Sequence, residues 1–181
     1  MSSLATHRIF SLEARNKEIQ DELDSLIQTG KRNDEKFHWL TTTVLALYDV
    51  EDWNHLDEIL RDVLSGRDQI DAARLYLWDL DSNPDLNCIR SAQDLGKLEK
   101  RTQTLSTSIC ETTRPNDYEL VFEKHPNTVT SVAFVPISFE GVRGVLAIGS
   151  IDPLHFSLTM STLFLDFLGD VLGRVVNKIL Q

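Results

Sequence analysis

The sequence predicts an α+β protein: an antiparallel sheet flanked by helices, led by a long N-terminal helix of coiled-coil type. Three observations carry this reading. Apolar residues recur in alternating steps of three and four from Ile9 to Leu47, the spacing of a heptad repeat. Two apolar runs of strand length, Thr130–Phe139 and Val145–Ser150, flank the turn Glu140–Gly144, as a hairpin requires. The segment Leu158–Leu180 then places Leu163, Phe167, Leu168, Val171, Leu172, Val175 and Val176 at helical spacing.

Taken in order, the N-terminal seam reads Ile9, Leu12, Asn16, Ile19, Leu23 and Leu26, and the same register continues through Gly30, Asn33, Phe37, Leu40, Val44 and Leu47. Asn16 stands at an a position, where a buried amide fixes register and favours two strands. Arg8 at g and Glu13 at the following e have opposite charge and could pair across a parallel homodimer. The competing reading is an amphipathic helix packed on its own domain. Gly30 and Asn33 are weak seam residues, so the helix is expected to bend or break at Thr29–Asn33. This divides the chain into a dimerisation helix, residues 1–32, and a globular domain, residues 33–181.

A second helix is expected over Trp53–Leu64, ended by Ser65-Gly66. A strand follows at Ala72–Leu80, with Leu75 and Leu77 on one face and Arg74, Tyr76 and Trp78 on the other. The turn signal Asp81-Ser82-Asn83-Pro84 leads to a weaker strand at Leu86–Ser91, and the two strands read as a hairpin. Residues 92–130 are less regular, with a short helix over Asp94–Leu105, a strand or loop near Ile109 and Cys110, and one turn at Tyr118–Phe122. After Asp152-Pro153, Ser157 or Thr159 can cap the last helix.

The 181 residues carry a net charge of −10, and nearly all of the excess lies after Lys36. This acidity argues against nucleic acid and anionic membrane as partners. The N-terminus lacks a signal-peptide apolar core, and no apolar run has the length of a spanning helix. Two cysteines are too few for a disulfide framework, so the expected address is the cytoplasm with both thiols reduced.

The order of elements resembles a GAF domain. The strand Ser131–Ser138 is similar to the GAF strand with an apolar-Pro-apolar ending. Gly144–Ser150 is similar to its partner, and Phe156-Ser157 to the start of the last helix. A nearer resemblance is to a bacterial GAF-like family of unknown function, the DUF family numbered 484. It rests on Ser131-Val132-Ala133, Gly149-Ser150-Ile151-Asp152 and Met160-Ser161-Thr162-Leu163-Phe164-Leu165, together with the Arg15-Asn16 stretch of the coil. The resemblance implies a GAF-like fold and dimers, and it implies no reaction.

The residues themselves point to no enzyme. Ser150, Asp152 and His155 lie within one turn, without a nucleophile elbow. Cys88 and Cys110 could serve a thiol-dependent reductase of the free methionine sulfoxide type, one thiolate attacking and the other resolving, but structural thiols are the simpler reading. The histidines are scattered and form no metal spacing. The cyclic-nucleotide GAF signature, a Cys-His chromophore dipeptide and phosphate loops are all missing, so no cofactor is expected.

What the resemblance leaves is a pocket between one sheet face and residues 92–130. Arg90 and Arg114 could neutralise an acidic ligand there. Tyr118, Phe122 and Phe134 could wall it, and Cys110, Ser131 and Ser150 could line it. The expected function is a non-catalytic regulatory or sensor domain that binds a small molecule and signals to a separate protein. The alternative is a dimerising scaffold whose pocket is filled by its own side chains.

Overall fold

The computed structural model describes residues 3–65, 70–78, 86–113, 118, 121–122, 128–156 and 162–181, with side chains from His7 onward. The chain divides into two compact units, Met1–His38 and Trp39–Gln181.

Helix α1 runs from Ser3 to Tyr48 without interruption. Gly30 does not break it, because one glycine costs only about 1 kcal/mol among good helix formers. Ile9, Leu12, Ile19, Leu23, Leu26 and Phe37 are exposed in the single chain, with Leu12 at 64% and Leu26 at 69%. The later residues of the same repeat, Leu40 and Leu47, are buried in the second unit.

Helix α2, Trp53–Ile59, starts at Asp52, whose carboxylate accepts from the His55 N–H at 2.8 Å. This is an N-cap, satisfying one of the donors that a helix start leaves open. The helix loosens into a π-helical turn at Leu60–Leu64. Strand β1, Ala72–Leu77, is buried on both faces. Strand β2, Ile89–Ser91, pairs with it in parallel, matching Leu75 with Ile89 and Leu77 with Ser91. The expected hairpin is thereby corrected. A tight turn makes antiparallel neighbours, whereas β2 starts opposite Leu75 and runs in the same direction as β1, which a tight turn cannot connect. The Asp81–Pro84 turn signal lies outside the described residues.

A 3₁₀ segment, Ala92–Leu98, and a short helix α3, Glu99–Gln103, precede strand β3, Ile109–Thr112. Strands β4, Ser131–Phe139, and β5, Val142–Ser150, form the long hairpin. Its turn residues Glu140 and Gly141 have φ of 45° and 91°. Positive φ at both positions matches the twist of the flanking strands. The sheet order is β2-β1-β5-β4-β3, with every pair except β1–β2 antiparallel. Helix α4, Leu163–Leu180, closes the fold; the expected caps Ser157 and Thr159 lie outside the described residues.

The alternation of strand side chains makes two cores. On one face Ala133, Val135, Leu146 and Ile148 meet α2, α4 and the end of α1 through Leu47, Leu56, Leu168 and Leu172. On the other, Val132, Phe134, Val145 and Ala147 lie beneath Leu95, Val121 and Phe122. Helix α4 sits close to β4 because Gly169 and Gly173, four residues apart, face the sheet. A Cβ on Gly169 would lie 2.4 Å from the Pro136 carbonyl oxygen.

Candidate functional site

The sheet face beneath Leu95, Val121 and Phe122 is packed with aromatic side chains. Tyr76, Phe122 and Phe134 are fully buried there. The Tyr76 hydroxyl donates to the Val121 carbonyl at 3.0 Å, and Tyr118 meets Phe134 edge to face at 5.4 Å between centroids. A Cβ on Gly149 would come within 2.9 Å of Val129 and 3.1 Å of Phe122, so the floor and roof of this layer are already in contact. A large ligand could enter only by displacing these rings.

Beside the aromatic layer lies a charged cluster. Arg101 grips the Glu111 carboxylate in a fork, at 2.8 and 3.2 Å, the bidentate geometry that makes such pairs directional. The Tyr118 hydroxyl donates to the same carboxylate. Burial first, and then the bond to Glu111, push the Tyr118 phenol up to about 12. The Arg101 guanidinium is held in its charged form mainly by Glu111. The cluster fastens Tyr118 to α3 and β3.

The residues expected to line one pocket divide between the two faces. Tyr118, Phe122 and Phe134 share the aromatic layer. Cys110 pairs with Ala133 and belongs to the core under α4. Ser131 and Ser150 pair with each other across β4 and β5, and strand alternation puts them on that same face. Arg90 stands on edge strand β2, and Arg114 lies outside the described residues.

Ser131 and Ser150 serve the turn after β5. Ser131 Oγ donates to the Asp152 carbonyl at 2.6 Å and accepts from the Phe156 N–H. Ser150 Oγ accepts from the Asp152 N–H, and the Asp152 carboxylate from the Leu154 N–H at 2.9 Å. His155 packs against Phe156.

The two thiols are held apart. Cys88 immediately precedes β2 and Cys110 lies in β3, the opposite edges of the sheet. Four strand spacings separate them, about 19 Å, whereas a disulfide needs Cα atoms within roughly 7 Å. The attacking and resolving pair of a sulfoxide reductase is therefore not assembled. Cys88 is instead anchored: its N–H donates to the buried Asp57 carboxylate at 2.6 Å, and Arg74 lies 3.7 Å from its sulfur. Among the described residues no group of three His, Cys, Asp or Glu is placed to hold a metal, and no helix is long and apolar enough to cross a membrane.

Two concavities were not legible in the sequence. An open groove of about 830 Å³ runs between the end of α1 and α4. Val44, Leu47, Val171 and Val175 give it an apolar floor. Asp49 and Glu51 line it from the chain that follows α1, and Arg174 and Lys178 line it from α4. Lys178 Nζ donates to the Val50 carbonyl at 2.8 Å, and the Arg174 guanidinium lies 4.5 Å over the Phe139 ring. A smaller cavity of about 100 Å³ lies at one end of the aromatic face, lined by Trp78, Leu105, Pro136 and Arg143 among others.

A five-stranded sheet in the order β2-β1-β5-β4-β3, with the C-terminal helix on one face and short irregular helices on the other, is a GAF-like domain. Two solved structures from Stigmatella aurantiaca share it. A phytochrome photosensory core module is 16% identical with a TM-score of 0.52, covering 78% of this chain and 36% of that one. The chromophore-binding domain of a bacteriophytochrome, a Thr289His mutant in the Pr state, is 15% identical with a TM-score of 0.50, covering 78% of this chain and 60% of that one. This chain thus spans less than two thirds of either structure, and the likeness is one of fold. A comparison with curated proteins finds no match. The family is the one the sequence resembles: the chain belongs to DUF484, described as a protein of unknown function, whose model matches residues 2–181.

Proposed function

We propose that this protein is a non-catalytic, cytoplasmic regulatory module that forms a homodimer through α1 and acts on a separate protein partner. The observation that carries the reading is the exposed seam of α1. Ile9, Leu12, Ile19, Leu23 and Leu26 are bare in the single chain, although their heptad spacing is that of helices which bury such a stripe against another helix. Asn16 within the seam suits two parallel strands. The packed aromatic face supports a scaffold more than a receptor for a large ligand.

Replacing Ile19 and Leu23 by Asp tests this. Both side chains are exposed, so the monomer should keep its circular dichroism and its melting transition. Burying each apolar side chain is worth roughly 1.5–3 kcal/mol, and a loss of about 2.7 kcal/mol raises a dissociation constant a hundredfold. Sedimentation over a dilution series should therefore show a dimer for the parent and a monomer for the variant. An unchanged dimer in the variant would remove α1 from the interface.

A further inference from the structure

We propose that the groove between the end of α1 and α4 is closed by a second copy of this chain, the acidic rim of each copy meeting the basic rim of the other. The inference rests on the α1 homodimer for the direction from which the second copy approaches.

The first ground is the heptad repeat. Val44 and Leu47 are its last two members, and both lie in the floor of the groove. Helix α1 reaches Tyr48 without a break. In a parallel two-stranded coil, equal positions of the two helices stand at the same level. The last turn of α1 in one copy therefore ends level with the last turn in the other, and each carries its groove.

The second ground is an uncovered apolar stripe. Leu163, Phe167, Val171, Arg174 and Lys178 follow one another along α4 in steps of four, four, three and four, the spacing of neighbours on one helix face. Leu163 is 72% exposed and Phe167 51%. On the α1 side of the groove, Tyr48 is 79% exposed. Bare apolar surface that continues into an apolar floor marks a contact surface.

The third ground is charge, and it selects the occupant. Asp49 and Glu51 line the groove after α1, and Arg174 and Lys178 line it from α4. All four are exposed, and none is in an ion pair among the described residues. A two-fold interface makes each contact twice, because residue i of one copy meets j of the other and j meets i. Rims of one sign would repel a second copy, whereas rims of opposite sign are satisfied by it on both sides. Two copies of net charge −10 have no general attraction, so the match must be local.

The test is a swap of charge in the full chain. Arg174→Glu with Lys178→Glu makes both rims acidic, and Asp49→Lys with Glu51→Lys makes both basic. Each variant alone should self-associate at least about tenfold more weakly than the parent in sedimentation, since like charges then face each other. An equal mixture, with one variant ¹⁵N-labelled, should regain the parent's affinity. Native mass spectrometry should find about nine-tenths of its dimers mixed, the share that a tenfold penalty on each like pair implies, against about half by chance. If loss of the Lys178 bond to Val50 unfolds the acidic variant, Arg174→Glu against Asp49→Lys makes the same comparison. Mixed dimers at the level of chance, or self-association of either variant equal to the parent's, would overturn the proposal. So would an equal preference from Lys97→Glu with Lys100→Glu against Asp94→Lys with Glu99→Lys, which moves net charge alike outside the groove. Adding Ile19→Asp and Leu23→Asp separates the two readings. A preference for mixed dimers that survives this change removes α1 and leaves the groove. Chance pairing in dimers that this change abolishes removes the groove and leaves α1. A parent that is monomeric at every concentration removes both.

Discussion

Replacing Gly169 by alanine tests how closely α4 lies on β4. The new Cβ would stand 2.4 Å from the Pro136 carbonyl oxygen and 3.0 Å from Val135 Cγ1. A carbon and a carbonyl oxygen settle at about 3.3 Å or more, so the shortfall is about 0.9 Å. The obstacle is backbone, at a residue that pairs with Val145 of β5, and cannot swing away. The helix must therefore retreat, lifting Leu165, Leu168, Leu172 and Val176 from the sheet. A gap of 0.5–1 Å forfeits roughly a quarter to a half of each contact, and overpacking of this kind costs about 1–3 kcal/mol. Alanine returns about 1 kcal/mol through helix propensity. A shortfall of about 0.9 Å against backbone takes the upper part of that range, about 2–3 kcal/mol, so the net expectation is a loss of about 1–2 kcal/mol, or a melting temperature lower by roughly 2–8 °C for a chain of this length. Gly30→Ala is the contrast, because a Cβ there meets nothing within 4 Å and should stabilise its helix by up to about 1 kcal/mol. Urea and thermal unfolding, followed by tryptophan fluorescence and circular dichroism, read both. If Gly169→Ala is as stable as the parent or more so, the helix does not lie against that carbonyl.

The remaining expectations concern single groups. Tyr118 has a folded pKa of about 12 against an ordinary value of 10, so its neutral form is favoured by folding. Its contribution is complete below pH 10 and is lost as the pH rises towards 12. Two units correspond to about 2.7 kcal/mol, and screening at a half-exposed site reduces this to about 1 kcal/mol. Unfolding of Tyr118→Phe should lack that part of the alkaline decline; an identical pH profile would count against the burial of the phenol and its bond to Glu111. Asn16→Val should tighten self-association while admitting additional oligomers, and sedimentation should show both effects if α1 forms a two-stranded coil. Mild oxidation of the monomer should leave no intramolecular disulfide, because Cys88 and Cys110 lie at opposite sheet edges; a mass loss of one disulfide in the intact folded chain would contradict the strand order.

The β4–β5 hairpin was readable because its signals are local: two apolar runs and a glycine in the turn between them. The continuity of α1 through Gly30 and the pairing of β1 with β2 were not. Both depend on what surrounds the chain rather than on the chain itself. Asp81–Pro84 spells a turn wherever it stands, but the direction of β2 is set by its pairing along β1. The candidate site failed on parity. Phe134 and Cys110 read equally well as pocket residues until the pairing of Cys110 with Ala133 turns the thiol to the other face. Arg101 and Glu111 carry no signal in the sequence for a related reason. Each is unremarkable in its own stretch and acquires a role only from a neighbour distant in sequence.

The sheet order also governs when the protein can fold. β5 lies between β1 and β4, so β1, buried on both faces, has no antiparallel partner until residues 142–150 exist to meet it. During synthesis the β4–β5 hairpin can close within microseconds of its emergence, but the pairing of Leu77 with Gly144 must first close a long loop, the kind of contact that slows folding. Until then the buried strand is open to wrong partners. The stretch from Ala72 to Leu77 is therefore where delayed translation or a weakened β5 should first show itself, as aggregation rather than as lost binding.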